Sequence, residues 1–219
     1  MTMNPPSHKP VLAIFGGLAL AGAAACLAVL VAAAQKAESS QPLPVIGPVA
    51  DFALTNQNGQ VVSRADLRGH VWVADVIFTR CPGPCLKMSR QMKDLQQALP
   101  AASSARLVTL TTDPDFDTPP VLKTYASRLA SNPDRWLFLT GNRSQIASLV
   151  TGSLKLTAME KEPSDQQSQS DLFIHSTIFV IVDKQGQLRG TFETTGEGID
   201  PGAVQARILA AVRQLERES

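Results

Sequence analysis

The 219-residue sequence predicts an α/β fold: a mixed sheet flanked by helices, with an N-terminal β-hairpin and one N-terminal transmembrane helix. Three observations carry this. An uncharged apolar run fills residues 11–34. Short β-branched runs then alternate with segments of helical period, and the order β-β, β-α-β-α-β-α, β-β-α implies helices on both faces of the sheet. The third is a cysteine pair set between a buried strand and a helix, in "FTRCPGPCLKM", residues 78–88.

"VLAIFGGLALAGAAACLAVLVAAA" (11–34) has no charge and no proline. As a helix it runs about 36 Å at about 1.5 Å per residue, enough to cross an apolar core of about 30 Å. Residues 1–10, with Lys9, read as a cytoplasmic tail, because positive charge stays inside. The run exceeds a signal-peptide apolar region, so an anchor is read ahead of a cleavable signal ending at "AAA" (32–34). Cys26 reads as a small apolar residue of this helix rather than a lipidated cysteine.

"QKAESSQPLPVIGP" (35–48) is polar and then proline-rich, a semi-extended linker. Residues 49–219 form the exported domain. "DFALTNQNGQVVS" carries a hairpin signal at "NQNG". "HVWVADVIF" (70–78) is a buried central strand. Leu86, Met88, Met92, Leu95 and Leu99 recur at helical spacing and Pro100 closes that helix. Met88 and Met92 read as core rather than thioether ligands.

"ARLVTLTT" (105–112) is a second buried strand. "DTPPVLKTYASRLA" is a helix with prolines in its first turn and Asp117 or Thr118 as the cap. "WLFLT" reads as a short strand and "RSQIASLVT" as a short helix. "KEPSDQQSQSD" (161–171) is a polar, low-complexity loop. "LFIHSTIFVIVDKQGQLRGTFE" is two strands around a Lys-Gln-Gly turn, and an amphipathic helix with Pro201 in its first turn ends the chain.

Charge excludes one class of partner. With Lys9 set aside, 19 basic residues face 19 acidic ones. No basic stripe is present for nucleic acid.

A cysteine pair at a strand–helix junction is the thioredoxin-like arrangement, although redox pairs usually have two intervening residues and Cys81 and Cys85 have three. The helix start directs free N–H groups and a positive dipole end at the loop, favouring thiolate. Pro82 and Pro84 stiffen the loop. A disulfide across so short a loop constrains little chain entropy, so an inert staple explains the pair poorly. A redox dithiol and a metal claw remain, since two thiolates suit soft ions such as Cu(I) and a third ligand would complete a trigonal site.

The chain has three histidines. His8 lies in the tail, and His70 starts the strand at the end far from the cysteines. His175, in "LFIHSTIF", is the remaining candidate; a lone histidine beside apolar residues is more often packed than ligating. Asp75 stands inside an apolar strand, where a carboxylate needs a partner. It is a candidate to support the cysteine loop from behind, or else an acid satisfied by backbone. Asp113 and Asp117 read as shaping the "DPDFD" loop.

"FTRCPGPC", "TTDPDFDTPPVLKTYASRLA", "WLFLTG" and "FIHSTIFVIVDKQGQLRG", in order from about Val49 to Arg213, resemble the Sco/SenC family. Its members are membrane-anchored, thioredoxin-fold copper chaperones for the binuclear copper centre of cytochrome c oxidase. The resemblance implies Cys81, Cys85 and His175 as copper ligands. It implies the copper-bearing oxidase subunit, or another copper protein, as the partner, and a metallochaperone rather than an enzyme. The chain departs from the family pattern in its cysteine loop, where Gly83 replaces a bulkier or acidic residue and Pro84 precedes Cys85 rather than a proline following it, and before His175, where Ile174 stands in place of a common Asp.

Two other functions use the same residues. A thiol–disulfide oxidoreductase would attack with Cys81 and dispense with His175. A copper- or redox-sensing module would need the same ligands. With no Arg-rich presequence, the expected location is a bacterial inner membrane, the domain lying in the periplasm.

Overall fold

Alternation along the first central strand sets the architecture. Val71 and Val73 pack into one apolar cluster with Met88, Met92, Leu95, Trp136 and Phe138, while Trp72, Ala74 and Val76 pack into another with Val108, Leu139, Ile146 and Val150. Successive side chains of a strand point to opposite faces, so this strand separates two buried layers.

The computed structural model describes residues 42–81, 83–160, 173–175 and 177–218, with backbone alone for 158–160 and 173–175. The segment read as a transmembrane helix and the loop 161–171 lie outside the described residues. Among the described residues no helix is long and apolar enough to cross a membrane.

Ten strands and five helices are described. They are β1 (Gly47–Pro48), β2 (Ala53–Asn56), β3 (Val61–Ser63), α1 (Arg64–Leu67), β4 (Trp72–Ile77), α2 (Pro84–Ala98), β5 (Arg106–Thr111) and α3 (Pro119–Arg128). There follow β6 (Trp136–Thr140), α4 (Arg143–Ala147, continued by a π-helical turn Ser148–Ser153), β7 (Ala158–Glu160), β8 (Phe173–His175), β9 (Ile178–Val182), β10 (Gln187–Glu193) and α5 (Pro201–Arg217).

The main sheet has the order β1-β10-β9-β4-β5-β6-β2-β3. Its centre, β4-β5-β6, is parallel, with α2 and α3 as the crossovers; β9, β10, β2 and β3 add antiparallel flanks. Parallel strands require such crossovers, which cover the sheet's faces. α2, α3 and α5 contribute to the first apolar cluster, and α4 with its π-helical turn to the second.

Three expectations change. The late run "LFIHSTIFVIV" is not one strand: β8 belongs to a separate two-stranded sheet with β7, and β9 begins at Ile178 in the main sheet. Thr118 occupies the N-cap of α3 without a side-chain cap hydrogen bond. Asp117 does not cap that helix either; it is buried and accepts from the Thr79 N–H at 3.0 Å, the Thr79 hydroxyl and the Thr111 hydroxyl at 2.5 Å. Three donors from two strand ends outcompete one exposed helix terminus.

The first residues of the domain are tied down as well. β1 pairs with β10, and Arg189 donates to the Leu43 carbonyl while bridging Asp183 at 2.7 Å and Glu218 at 2.8 Å. Gly47 lies opposite Leu188, which reaches through Val182 to Trp72, the first residue of β4. The chain therefore enters the domain beside the N-terminal end of β4, and the cysteine loop leaves from the other end.

Candidate metal and thiol site

β4 delivers the chain to the site. Beyond Ile77 the backbone turns, with Cys81 N–H donating to the Phe78 carbonyl at 3.2 Å. Gly83 takes the N-cap of α2, Pro84 the first turn, and Cys85 follows within it. Proline suits a first turn because the N–H it lacks would have no partner there. The site thus lies at the carboxyl end of a central parallel strand, where open α/β sheets place their ligands.

The two cysteines occupy different surroundings. Cys85 is fully buried against Ile77 and Phe78, whereas Cys81 is partly exposed and packs at the edge of that cluster. No disulfide joins them. They lie within hydrogen-bonding reach, and donation to Cys81 is the largest effect holding the proton on Cys85. Burial adds to it, and the negative charges of Cys81 and Asp75 act in the same direction, against a smaller opposing contribution from the Phe78 backbone.

The pull of the helix terminus toward thiolate, expected at Cys81 and the loop, does not extend to Cys85. Cys85 sits inside the first turn, hydrogen-bonded to Cys81 and buried, and its thiol is pushed up. Cys81 is the accessible sulfur of the pair.

Asp75 is fully buried and lies directly opposite Thr109 in the parallel β4–β5 register. Thr109 Oγ1 donates to Asp75 Oδ1 at 2.7 Å and accepts from Trp136 Nε1 at 2.9 Å. Alternation places Asp75 on the Val73 face, the face covered by α2. Ser89, one helical turn after Cys85, shares a 2.9 Å hydrogen bond with the Tyr125 hydroxyl. Burial pushes that phenol up to about 12, against the hydrogen bond with Ser89, which acts the other way.

On the other side of the loop, Thr79 is held by Asp117 and Arg80 by Asp113 at 2.5 Å. The Arg80 guanidinium lies over the Phe116 ring, 4.2 Å from its centroid. The "DPDFD" segment therefore braces the residues immediately before Cys81.

Sequence reasoning named Cys81, Cys85 and Asp75, and these three converge. It did not name Tyr125, Ser89, Thr109 or Arg80. The i+4 spacing of Cys85 and Ser89 was a readable signal, as was Tyr125 being the only tyrosine; Thr109 required the strand register. His70 is remote, its Nδ1 lying 2.9 Å from the Ser104 carbonyl. Met88 and Met92 are core residues. The backbone of His175 pairs with Ala158 at the end of β8; its side chain lies outside the described residues.

A family model described as SCO1/SenC matches residues 44–212. The chain belongs to the SCO1/SenC family. It is 35% identical over 147 residues to the SCO1 protein homolog of Bacillus subtilis, covering 66% of this chain and 73% of that one. It is 31% identical over 150 residues to a protein of Stutzerimonas stutzeri named a putative copper-binding protein, covering 68% and 70%.

Solved structures agree on the fold of this SCO1/SenC chain. BsSco, described as a member of the Sco family of cytochrome c oxidase assembly proteins with a disulfide switch, superposes with a TM-score of 0.66 at 29% identity, covering 82% of this chain and all of that one. A SCO1/SenC family lipoprotein from Bacillus anthracis gives 0.65 at 25%, covering 78% and 96%. Bradyrhizobium japonicum ScoI, solved with copper bound, gives 0.61 at 22%, covering 78% and 99%, a likeness of fold alone.

Proposed function

We propose that this protein binds copper through Cys81, Cys85 and His175 and delivers it to the binuclear copper centre of a membrane cytochrome c oxidase. The observation that carries the reading is a pair of thiols, not joined by a disulfide and within reach of one another at the end of β4, in a chain of the SCO1/SenC family. Two sulfurs select a soft ion, and an imidazole completes three-coordination. Copper is cargo here, so the site must release as well as hold.

The asymmetry of the pair supplies a route for release. A client thiol reaches the partly exposed Cys81 first and replaces it at the metal. Cys85, buried in the first turn of α2, holds the ion until a second client ligand arrives. Asp75 and Thr109 fix the floor beneath Cys85, and the Asp75 charge sets how readily that thiol gives up its proton. The helix at 11–34 would tether the domain to a bacterial inner membrane with the site in the periplasm, near a membrane-bound client.

X-ray absorption on the copper-loaded full-length chain tests the ligand set. Two sulfurs and one nitrogen are expected, the nitrogen being lost in His175→Ala. An all-sulfur site, or one unchanged in that variant, contradicts the assignment.

A second reading is favoured by the same exposed-and-buried pair. Cys81 thiolate attacks a client disulfide, forming a Cys81–client disulfide and expelling one client thiolate. Cys85, once deprotonated, then attacks Cys81 Sγ, expelling the second client thiolate and leaving a Cys81–Cys85 disulfide. Two electrons pass to the client, which accepts both protons. This chemistry would prepare a client's cysteines for the metal and needs no histidine.

A further inference from the structure

Beside the cysteine loop the surface holds a groove of about 460 Å³, within the range of about 300–1,000 Å³ typical of ligand clefts. One wall is the loop itself, Thr79 and Arg80. The other is a single stripe of α3, where Val121, Thr124, Tyr125 and Arg128 recur at i, i+3, i+4 and i+7. Phe116 closes one side, and it is the one large exposed apolar side chain among the described residues that lies near the cysteines.

The charge of this groove is one-sided. No acidic residue lines it. Asp113 neutralises Arg80 from a buried position, and the Arg80 side chain stays partly exposed where its guanidinium lies over the Phe116 ring. Arg128 is exposed, and among the described residues no carboxylate pairs with it. The groove thus offers an uncompensated cation, a stacked guanidinium and an apolar floor, one residue from Cys81.

We propose that this groove docks an acidic client segment: an extended stretch with a carboxylate and an apolar side chain next to the cysteine that takes the metal. The inference rests on the copper-delivery reading and names the chemistry of its partner. Guanidinium groups recognise carboxylates in fixed geometry, and complementary charge raises encounter rates and sets register more than it adds raw affinity. A client segment lying along α3 with its carboxylate at Arg128 would bring its thiol up to Cys81. A groove this small takes a few side chains, which suits a transient hand-over.

The probe is a pair of rhodamine-labelled ten-residue peptides with serine at the metal-accepting position. One carries Glu and Leu beside the serine; the other has Lys for each Glu. Binding to the full-length chain in a nonionic detergent is followed by fluorescence anisotropy at an ionic strength of ~10 mM, where screening is weak. The acidic peptide is expected to bind about tenfold more tightly than the basic one. Arg128→Glu should abolish or reverse that preference, while the variant keeps the copper stoichiometry of the wild type. Equal binding of the two peptides, or an unchanged preference in Arg128→Glu, overturns the groove assignment whatever the copper result. Loss of copper from Arg128→Glu overturns it too, since the groove would then be inseparable from the metal site. Failure of the wild-type chain to take copper at all, with the peptide preference intact, instead strikes the copper reading.

Discussion

Thr109 stands directly across the parallel ladder from Asp75 and donates its hydroxyl to Oδ1 at 2.7 Å, beneath the helix that carries Cys85. The same oxygen of Thr109 accepts from Trp136 Nε1. One hydroxyl therefore serves two buried polar atoms, Asp75 Oδ1 and Trp136 Nε1. Thr109→Val keeps the shape and removes both bonds, and should destabilise the fold by roughly 1–3 kcal/mol or more. Chemical denaturation measures this; a variant as stable as the wild type would show that Asp75 is satisfied elsewhere.

The Asp75 charge opposes ionisation of Cys85. Asp75→Asn retains an acceptor for Thr109 and removes the charge, so Cys85 should ionise at lower pH. The pH profile of Cys85 alkylation, read in a Cys81→Ser background, should move toward acid. A profile that stays in place, or moves toward base, contradicts the role given to Asp75. In the wild type, alkylation mapped by mass should find Cys81 modified well before Cys85, because one sulfur is accessible and the other is buried.

Asp117 carries a different pH dependence. Burial holds its carboxyl above the usual range despite the hydrogen bonds from Thr111 and Thr79, with Asp113 adding to the shift. The folded state therefore binds this proton more tightly than the unfolded state. The associated stability is complete below the unfolded carboxylate value, about 3.9, and is lost as pH rises through the raised value. Asp117→Asn cannot ionise, so relative to the wild type it should gain stability as pH rises above about 4. Thermal melts across that range give the sign; a difference that is flat with pH contradicts it.

His175 separates the two functions that share Cys81 and Cys85. His175→Ala should weaken Cu(I) binding severely and leave exchange with a small disulfide nearly unchanged. Competition with a Cu(I) chelator and an exchange assay on the same preparation measure both. Equal loss of both, or of neither, contradicts the division of roles.

Local pattern made much of this chain readable. "HVWVADVIF", the helical recurrence from Leu86 to Leu99, and prolines at helix starts each specify their element without knowledge of the rest. The cysteine loop followed from those boundaries. What escaped depends on distant pairings. Thr109 meets Asp75 only through the parallel register, Tyr125 meets Ser89 only after α3 docks, and Asp117 leaves its cap because Thr79 and Thr111 converge on it. The run "LFIHSTIFVIV" carries no internal signal for its break, since β8 is defined by pairing with β7. The pull of the helix terminus does not reach Cys85 for a physical reason: that thiol is buried and hydrogen-bonded to Cys81.

The central claim is that one chain carries one copper on the Cys81–Cys85 pair. Anaerobic Cu(I) titration of the reduced full-length protein tests it most directly. A sharp endpoint at one copper per chain is expected, absent in Cys81→Ser. Full stoichiometric binding by Cys81→Ser, or no tight binding by the wild type, would contradict it.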